Sequence, residues 1–167
     1  SPSNLADLSV GSAMTSGGTG KATVTLSSRT TVSSDLKVKA SAQGISASDL
    51  SVSLVPGAPS QVLLTATKNS LEANGMDTAV FTARVRDAFG HPVATGTAVT
   101  FSAVKPGGAE YSNIDPKTVT IENDRAETTL TASSTASAGT YTVTATSGSV
   151  SKNVLVTFTS APVDKVK

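Results

Sequence analysis

The 167 residues contain no cysteine, which excludes a disulfide framework and a thiolate metal centre alike. Tryptophan is also absent, and four Phe and two Tyr are the whole aromatic complement. A core made from these must be narrow and filled mainly by Val, Leu and Ala. Charged residues make up only 15% and nearly cancel, leaving a formal net charge of +1. No Lys/Arg cluster supplies the concentrated basic face that nucleic acid requires. No apolar run approaches the length of a membrane-spanning helix. The opening Ser-Pro-Ser-Asn is no signal peptide, so a secretory signal is expected to lie outside these residues.

Ser, Thr, Ala, Val and Gly dominate instead, a mixture that suits short β-strands because β-branched side chains fit a pleated, half-buried surface. Residues 71–101 carry the pattern most plainly. Phe81, Ala83 and Val85 alternate with Thr82, Arg84 and Arg86, the period of two of a strand with one dry face. Asn74-Gly75 precedes it as a turn, and Asp87-Ala88-Phe89-Gly90-His91-Pro92 follows as a second. Val99, Phe101 and Ala103 then resume the alternation, so the stretch reads as an antiparallel hairpin.

Elsewhere the alternation is shorter. Leu5, Leu8 and Val10 suggest one strand, Ala22, Val24 and Leu26 a second, Leu36, Val38 and Ala40 a third, and Leu50, Val52 and Leu54 a fourth. Pro56-Gly57-Ala58-Pro59 interrupts the series and places a domain boundary, since such a segment cannot lie inside a sheet. Beyond it, strands are expected around Val62–Ala66, Val119/Ile121, Ala126–Leu130, Tyr141–Ala145 and Val154–Phe158, with residues 104–118 as a long loop. Seven or more short strands between residues 59 and 160 have the count and spacing of an immunoglobulin-like sandwich.

The chain also repeats itself. K-A-T-V-T-L-S-S from Lys21 matches R-A-E-T-T-L-T-A from Arg125. D-L-K-V-K-A-S-A-Q-G from Asp35 matches T-Y-T-V-T-A-T-S-G from Thr140, and D-L-S-V-S-L from Asp49 matches N-V-L-V-T-F from Asn153. Residues 1–57 therefore copy only the second half of a repeat, residues 58–160 form a whole one, and 161–167 are a linker or the start of the next. A lone half cannot bury its apolar face. The missing half is expected from a separate segment, whether a cleaved chain, a neighbouring copy or a partner; the other reading is that the chain simply begins late and this part is loosely held.

L-E-A-N-G at residues 71–75, V-x-D-x-x-G-x-P-V at 85–93, V-T-F at 99–101 and G-T-Y-T-V-T-A at 139–145 resemble the bacterial Ig-like repeat of the intimin/invasin adhesins. His91 stands where that family usually has Asn. The resemblance implies an all-β chain of Ig-like β-sandwich repeats in tandem, non-catalytic, on the bacterial cell surface. It further implies a rod that projects from the outer membrane, held by an anchor outside this chain, and spaces a distal binding domain.

Chemistry-bearing residues are few. His91 is the single histidine and lies in a turn, with no nucleophile or second ligand nearby in sequence. Asp87 reads as an Asx-turn residue; with Asp77 and Glu72 it makes no D-x-D-x-D-G calcium loop. Glu122, Asp124 and Glu127 read as a solvated turn. Ser16-Gly17-Gly18-Thr19-Gly20 lacks the Lys-Ser/Thr and helix of a phosphate loop. No enzyme, metal or cofactor follows from these residues. Two roles remain: a stalk, favoured by the short Pro-bearing junctions that limit hinge freedom, or a repeat that itself binds a host protein or glycan. The binding surface would then be the Thr82, Arg84, Arg86 row or the 110–117 loop, with Tyr111 as its exposed aromatic anchor. A spacer attached to an enzyme is a third reading.

Overall fold

The computed structural model describes residues 6–8, 11–15, 18, 20–28 and 32–161. These fall into two units, Ser1–Pro56 and Gly57–Lys167, and contain strands and turns but no helix. The readings of Leu5 and Val10, most of the 16–20 glycine-rich stretch, and 162–167 lie outside the described residues.

Unit 1 holds β1 (Ala6–Leu8), β2 (Leu26–Ser28), β3 (Ser33–Val38), β4 (Ser41–Ala42), β5 (Ile45–Ser46) and β6 (Leu50–Leu54). They form three two-stranded ribbons, β1–β2, β3–β6 and β4–β5, all antiparallel. The alternation at Ala22, Val24 and Leu26 yields strand only from Leu26 onward. No described residue of this unit is buried.

Unit 2 holds β7 (Gln61–Ala66), β8 (Ser70–Ala73), β9 (Thr78–Arg86), β10 (Ala98–Val104), β11 (Glu110–Tyr111), β12 (Ile114–Asp115), β13 (Thr118–Thr120), β14 (Ala126–Thr131), β15 (Gly139–Ser147) and β16 (Val150–Ser160). One sheet runs β12-β14-β9-β7; the other runs β11-β10-β15-β16-β8, with β13 also on β10. The two sheets close over one apolar cluster, and the inward positions of β9 (Ala79, Phe81, Ala83, Val85) and β15 (Tyr141, Val143, Ala145) are almost wholly shielded from water. This is an immunoglobulin-like β-sandwich.

Phe81 and Phe101 lie in opposite sheets, so residues 71–101 are not a hairpin. β9 pairs with β7 and β14, whereas β10 pairs with β11, β13 and β15. The reason is the connection. Asp87 N–H donates to the His91 carbonyl, and Val93 N–H returns to Val85, folding residues 87–93 back on β9. Gly96 then bonds Ile121, which carries the chain to the second sheet. The expected 104–118 loop likewise contains two strands, β11 and β12, and ends where β13 begins. Two-residue strands such as β11 and β12 are too short to show a period, and each takes its conformation from the long neighbour it pairs with.

The six rings are used economically. Tyr141 stacks on Phe158 at 3.9 Å between centroids, and Tyr111 meets both edge-on at 5.1 and 5.5 Å. Tyr141 Oη donates back to Ser137 O, 3.0 Å away and four residues upstream, the arrangement of a tyrosine corner. Burial, aided by the neighbouring Tyr111, pushes the Tyr141 phenol above its ordinary pKa.

The first strand changes sheets. β7 pairs antiparallel to β9; after residues 67–69 the chain joins the other sheet, where β8 lies parallel to β16 with Ala73 opposite Ser160. The polypeptide thus enters unit 2 beside Gln61 and leaves it at the level of Ala73. Twelve residues at ~3.3 Å each separate these points, a span of roughly 35–40 Å. The two termini of the sandwich lie at opposite ends.

Candidate functional site

The exposed face of the four-stranded sheet gathers the expected basic row. Alternation sends Thr82, Arg84 and Arg86 outward from β9, opposite Thr65, Leu63 and Gln61 of β7. Asp124 neutralises much of that charge. Its Oδ2 lies 2.8 Å from Arg86 Nη2 and 3.7 Å from Arg84 Nη1. The carboxylate is delivered by the tight turn between β13 and β14, in which Asn123 and Asp124 both have positive φ, +49° and +66°. Two consecutive left-handed residues define a type I′ hairpin turn, and Asn and Asp accept that geometry better than other non-glycine residues. Glu122 and Arg125 close it through reciprocal backbone hydrogen bonds. Glu127 completes the face, accepting from Thr82 Oγ1 at 3.2 Å with Arg125 Nε at 3.6 Å.

The Arg row is therefore a mixed-charge surface. Arg84 remains half exposed, while Arg86 is largely covered. The sequence carries a signal for the pairing: Glu-Asn-Asp-Arg between two alternating segments marks a two-residue hairpin turn, which projects Asp124 over the neighbouring strand.

Tyr111 is the correction that matters most for a binding surface. The ring is only 4% exposed, packed edge-on against Tyr141 and Phe158. Its hydroxyl donates to Thr131 O and accepts from Ser133 N–H, both at 2.7 Å. Tyr111 faces inward because β11 pairs with β10 in register with the buried Ala103. The exposed aromatic of unit 2 is Phe89, at the tip of the turn after β9 and 65% accessible. On the 110–117 stretch the solvent sees instead the Lys117–Glu110 ion pair, 2.7 Å apart. Its Lys donor, first by hydrogen bond and then by charge, holds Glu110 below the usual carboxylate range.

His91 and Asp87 form a structural knot. Asp87 is buried, which by itself would raise its pKa. Hydrogen bonds from Gly57 N–H, the His91 side chain, His91 N–H and Phe89 N–H outweigh burial and hold it far below the ordinary value. All of its acceptor capacity is thereby used on the chain itself. Asp77 is similarly committed: Lys68 pairs with its side chain, Glu72 N–H donates to it at 2.8 Å, and its pKa is lowered. Asn74 Oδ1 in the same turn caps Met76 and Asp77 N–H, with Gly75 at φ +86° supplying the left-handed residue. Among the described residues no group of three His, Cys, Asp or Glu side chains is arranged to hold a metal ion.

These features can order turns and present a mixed surface; they assemble no nucleophile, base and oxyanion donor around one point. Comparison with known proteins agrees with a scaffold of this kind. Residues 61–159 match the model of the bacterial Ig-like domain (group 1). Among solved structures, invasin, described as a bacterial integrin-binding protein, aligns over 88% of this chain and 29% of its own with 21% identity and a TM-score of 0.53. The D00-D0 domain of intimin aligns over 94% and 79% with 18% identity and a TM-score of 0.50. A C-terminal 282-residue intimin fragment, solved with the intimin-binding domain of its translocated receptor, aligns over 59% and 33% with 24% identity and a TM-score of 0.48. The chain thus spans about a third or less of the invasin and C-terminal intimin structures. No curated protein matches. With the match covering more than half its length and the sandwich on which it falls fully formed, the chain belongs to the bacterial Ig-like domain (group 1) family.

Proposed function

We propose that the chain is a non-catalytic stalk region of an intimin/invasin-like surface adhesin, which holds a distal binding domain away from the cell. In this reading it is displayed outside the bacterium and anchored in the outer membrane by a region beyond these residues. The observation that carries the proposal is the through-passage of unit 2. A module entered at one end and left at the other adds its length to a rod, roughly 35–40 Å here; a module with adjacent termini adds a side branch. The chain is also held where it enters. Gly57 N–H is fixed by Asp87, and Ser60 N–H donates to Arg86 O at 2.8 Å.

A second reading, direct binding of a host protein or glycan, is favoured by the half-exposed Arg84 lying opposite the exposed Leu63 on the outer sheet. The two roles separate in one experiment. Beads coated with the chain are offered to host cells, in parallel with whole adhesin in which unit 2 is replaced by an unrelated Ig-like module of equal length. The stalk role expects no saturable binding by the beads and full adhesion by the replacement. Saturable bead binding that is lost in Arg84→Glu would establish the other role and overturn this one.

A further inference from the structure

One strand of the larger sheet is covered on only half of one edge. β16 pairs with β15 from Val150, opposite Ser147, to Phe158, opposite Gly139. On its other edge β8 covers Thr157–Ser160 alone. Among the described residues, Val150–Val156 have no strand partner on that side. Thr157 N–H donates to Asn69 O on the β8 side. Backbone groups alternate in direction along a strand, so Ser151, Asn153 and Leu155 turn their N–H and C=O groups to the same open edge. All three residues are exposed, Leu155 at 59%. Val150 and Val154, whose side chains face the interior, are only half buried at the margin of the core.

We infer that a second copy of the chain pairs along this edge, strand to strand and antiparallel, about a two-fold axis at Asn153. The edge is a notch. β8 closes it at one end, and at the other the Gly148-Ser149 turn, with Gly148 at φ +56°, leads back to β15. With Asn153 opposite its own counterpart, Val150 of each copy falls opposite Val156 of the other. The unpaired stretches then fill one another, and each hairpin turns away where the other copy's β8 begins.

Charge and space select this register. Moving the axis to Lys152, the one charge on β16, sets two lysines face to face, which is destabilising. Moving it to Val154 brings Val150 opposite Phe158, a position β8 already holds. With the axis at Asn153, Lys152 faces Val154 and the exposed Leu155 lies beside Ser151. Ser151, Asn153 and Leu155 exchange backbone hydrogen bonds with Leu155, Asn153 and Ser151 of the copy. An unpaired stretch that is bounded at both ends and accepts its own sequence in reverse is self-complementary, as a two-fold contact requires. One such contact lies at the small end of interface sizes, so chains in dilute solution stay largely apart and covalent capture is the fitting measurement.

The absence of native cysteine makes an introduced thiol the sole reporter. Cα atoms in an antiparallel hydrogen-bonded pair stand about 5.5 Å apart, a separation that a disulfide bridges. Under mild oxidation of residues 1–167, Asn153→Cys should therefore form dimers severalfold faster than Ser102→Cys, an exposed position on the same sheet. Ser151→Cys and Leu155→Cys each stand roughly 14 Å from their own counterparts in this register. Each should stay monomeric alone, and the two should cross-link when mixed. Ser151→Pro in the Asn153→Cys chain removes an edge N–H but none of the ladder to β15. It should slow capture by about tenfold or more, with circular dichroism showing the sandwich kept. Equal rates at Asn153, Ser151, Leu155 and Ser102 would mean chance collision and overturn the proposal. Cross-linking of Ser151→Cys or Leu155→Cys alone in preference to their mixture would overturn it too, as would capture through Asn153→Cys that Ser151→Pro leaves undiminished.

Discussion

Replacing Tyr111 by Phe removes a single oxygen from unit 2, and its consequence follows from where that oxygen sits. The ring belongs to β11 in one sheet; its hydroxyl bonds Thr131 and Ser133, at and just beyond the end of β14 in the other. It is a staple between sheets. In Tyr111→Phe the ring contacts with Tyr141 and Phe158 survive, but the Ser133 N–H and Thr131 carbonyl lose their partner. A hydrogen bond is worth about 1 kcal/mol net, and a stranded buried polar group costs about 1–3 kcal/mol. Both stranded groups lie on half-buried residues, where water replaces part of the loss. The expected cost is therefore about 1.5–3 kcal/mol, on the order of a 10 °C fall in melting temperature for a domain of this size. Tyr141→Phe loses only the bond to Ser137 and should cost about 1 kcal/mol. Urea unfolding followed by circular dichroism measures both. If Tyr111→Phe lies within about 0.5 kcal/mol of the parent, the staple is not made in solution. If Tyr111→Ala abolishes attachment to a host ligand while leaving the urea midpoint unmoved, Tyr111 is a surface anchor and its assignment to the core is wrong.

Gly139→Ala should destabilise unit 2 by about 2–4 kcal/mol, because Gly139 has φ +144° and an added Cβ would stand 2.7 Å from Pro106 Cγ; in the same urea assay Pro106→Ala in that background should restore only part, the contact being relieved and the backbone strain not. Asp87, Asp77 and Glu110 all titrate below their unfolded values, so their stabilisation is present above about pH 4.5 and is lost as pH falls through their lowered folded values. The acid limb of a stability-against-pH curve should flatten in Asp87→Asn by about one proton, and an unchanged limb would remove Asp87 from the account; the alkaline limb, where the unfolded Tyr141 ionises from about pH 10 while the folded one resists, should be unaffected.

Much of the sandwich was legible because its long strands are one-sided. Phe81, Ala83 and Val85 alternate with Thr82, Arg84 and Arg86 along β9, and the period survives whatever partner the strand finds. Strand partnership was not legible. The hairpin expected between β9 and β10 fails because an alternating pattern states which face is dry and not which strand lies beside it; the 87–97 connection, with its Asp87 knot, decides that. Tyr111 was misplaced for a related reason. Flanked by Pro106-Gly107-Gly108 and Asn113, it reads as part of a loop, and a two-residue strand offers no alternation from which its inward direction can be read. Asp124 was visible only as one acid among three. Its tie to Arg84 and Arg86 depends on the hand of a turn, to which the side-chain pattern of the strands is blind.

The topology that makes unit 2 a through-passage also determines how it would bear load. In the proposed stalk, tension would reach the sandwich at Gln61 and Ser160, the outer ends of the β7/β8 strand and of β16. Because β8 and β16 run parallel over Ser70–Ala73 and Thr157–Ser160, opposite pulls slide one along the other, and their hydrogen bonds are strained together. An antiparallel terminal pair pulled from one end opens a bond at a time. Resistance to force is governed by the unfolding barrier and not by equilibrium stability, so a module with a thin core of Val, Ala and five buried rings can still be a durable spacer. The committed carboxylates fit the same logic. Asp77, Asp87 and Glu110 hold a turn, the chain's point of arrival in the sandwich and a surface ion pair, and the conformation of the module depends on leaving those contacts made.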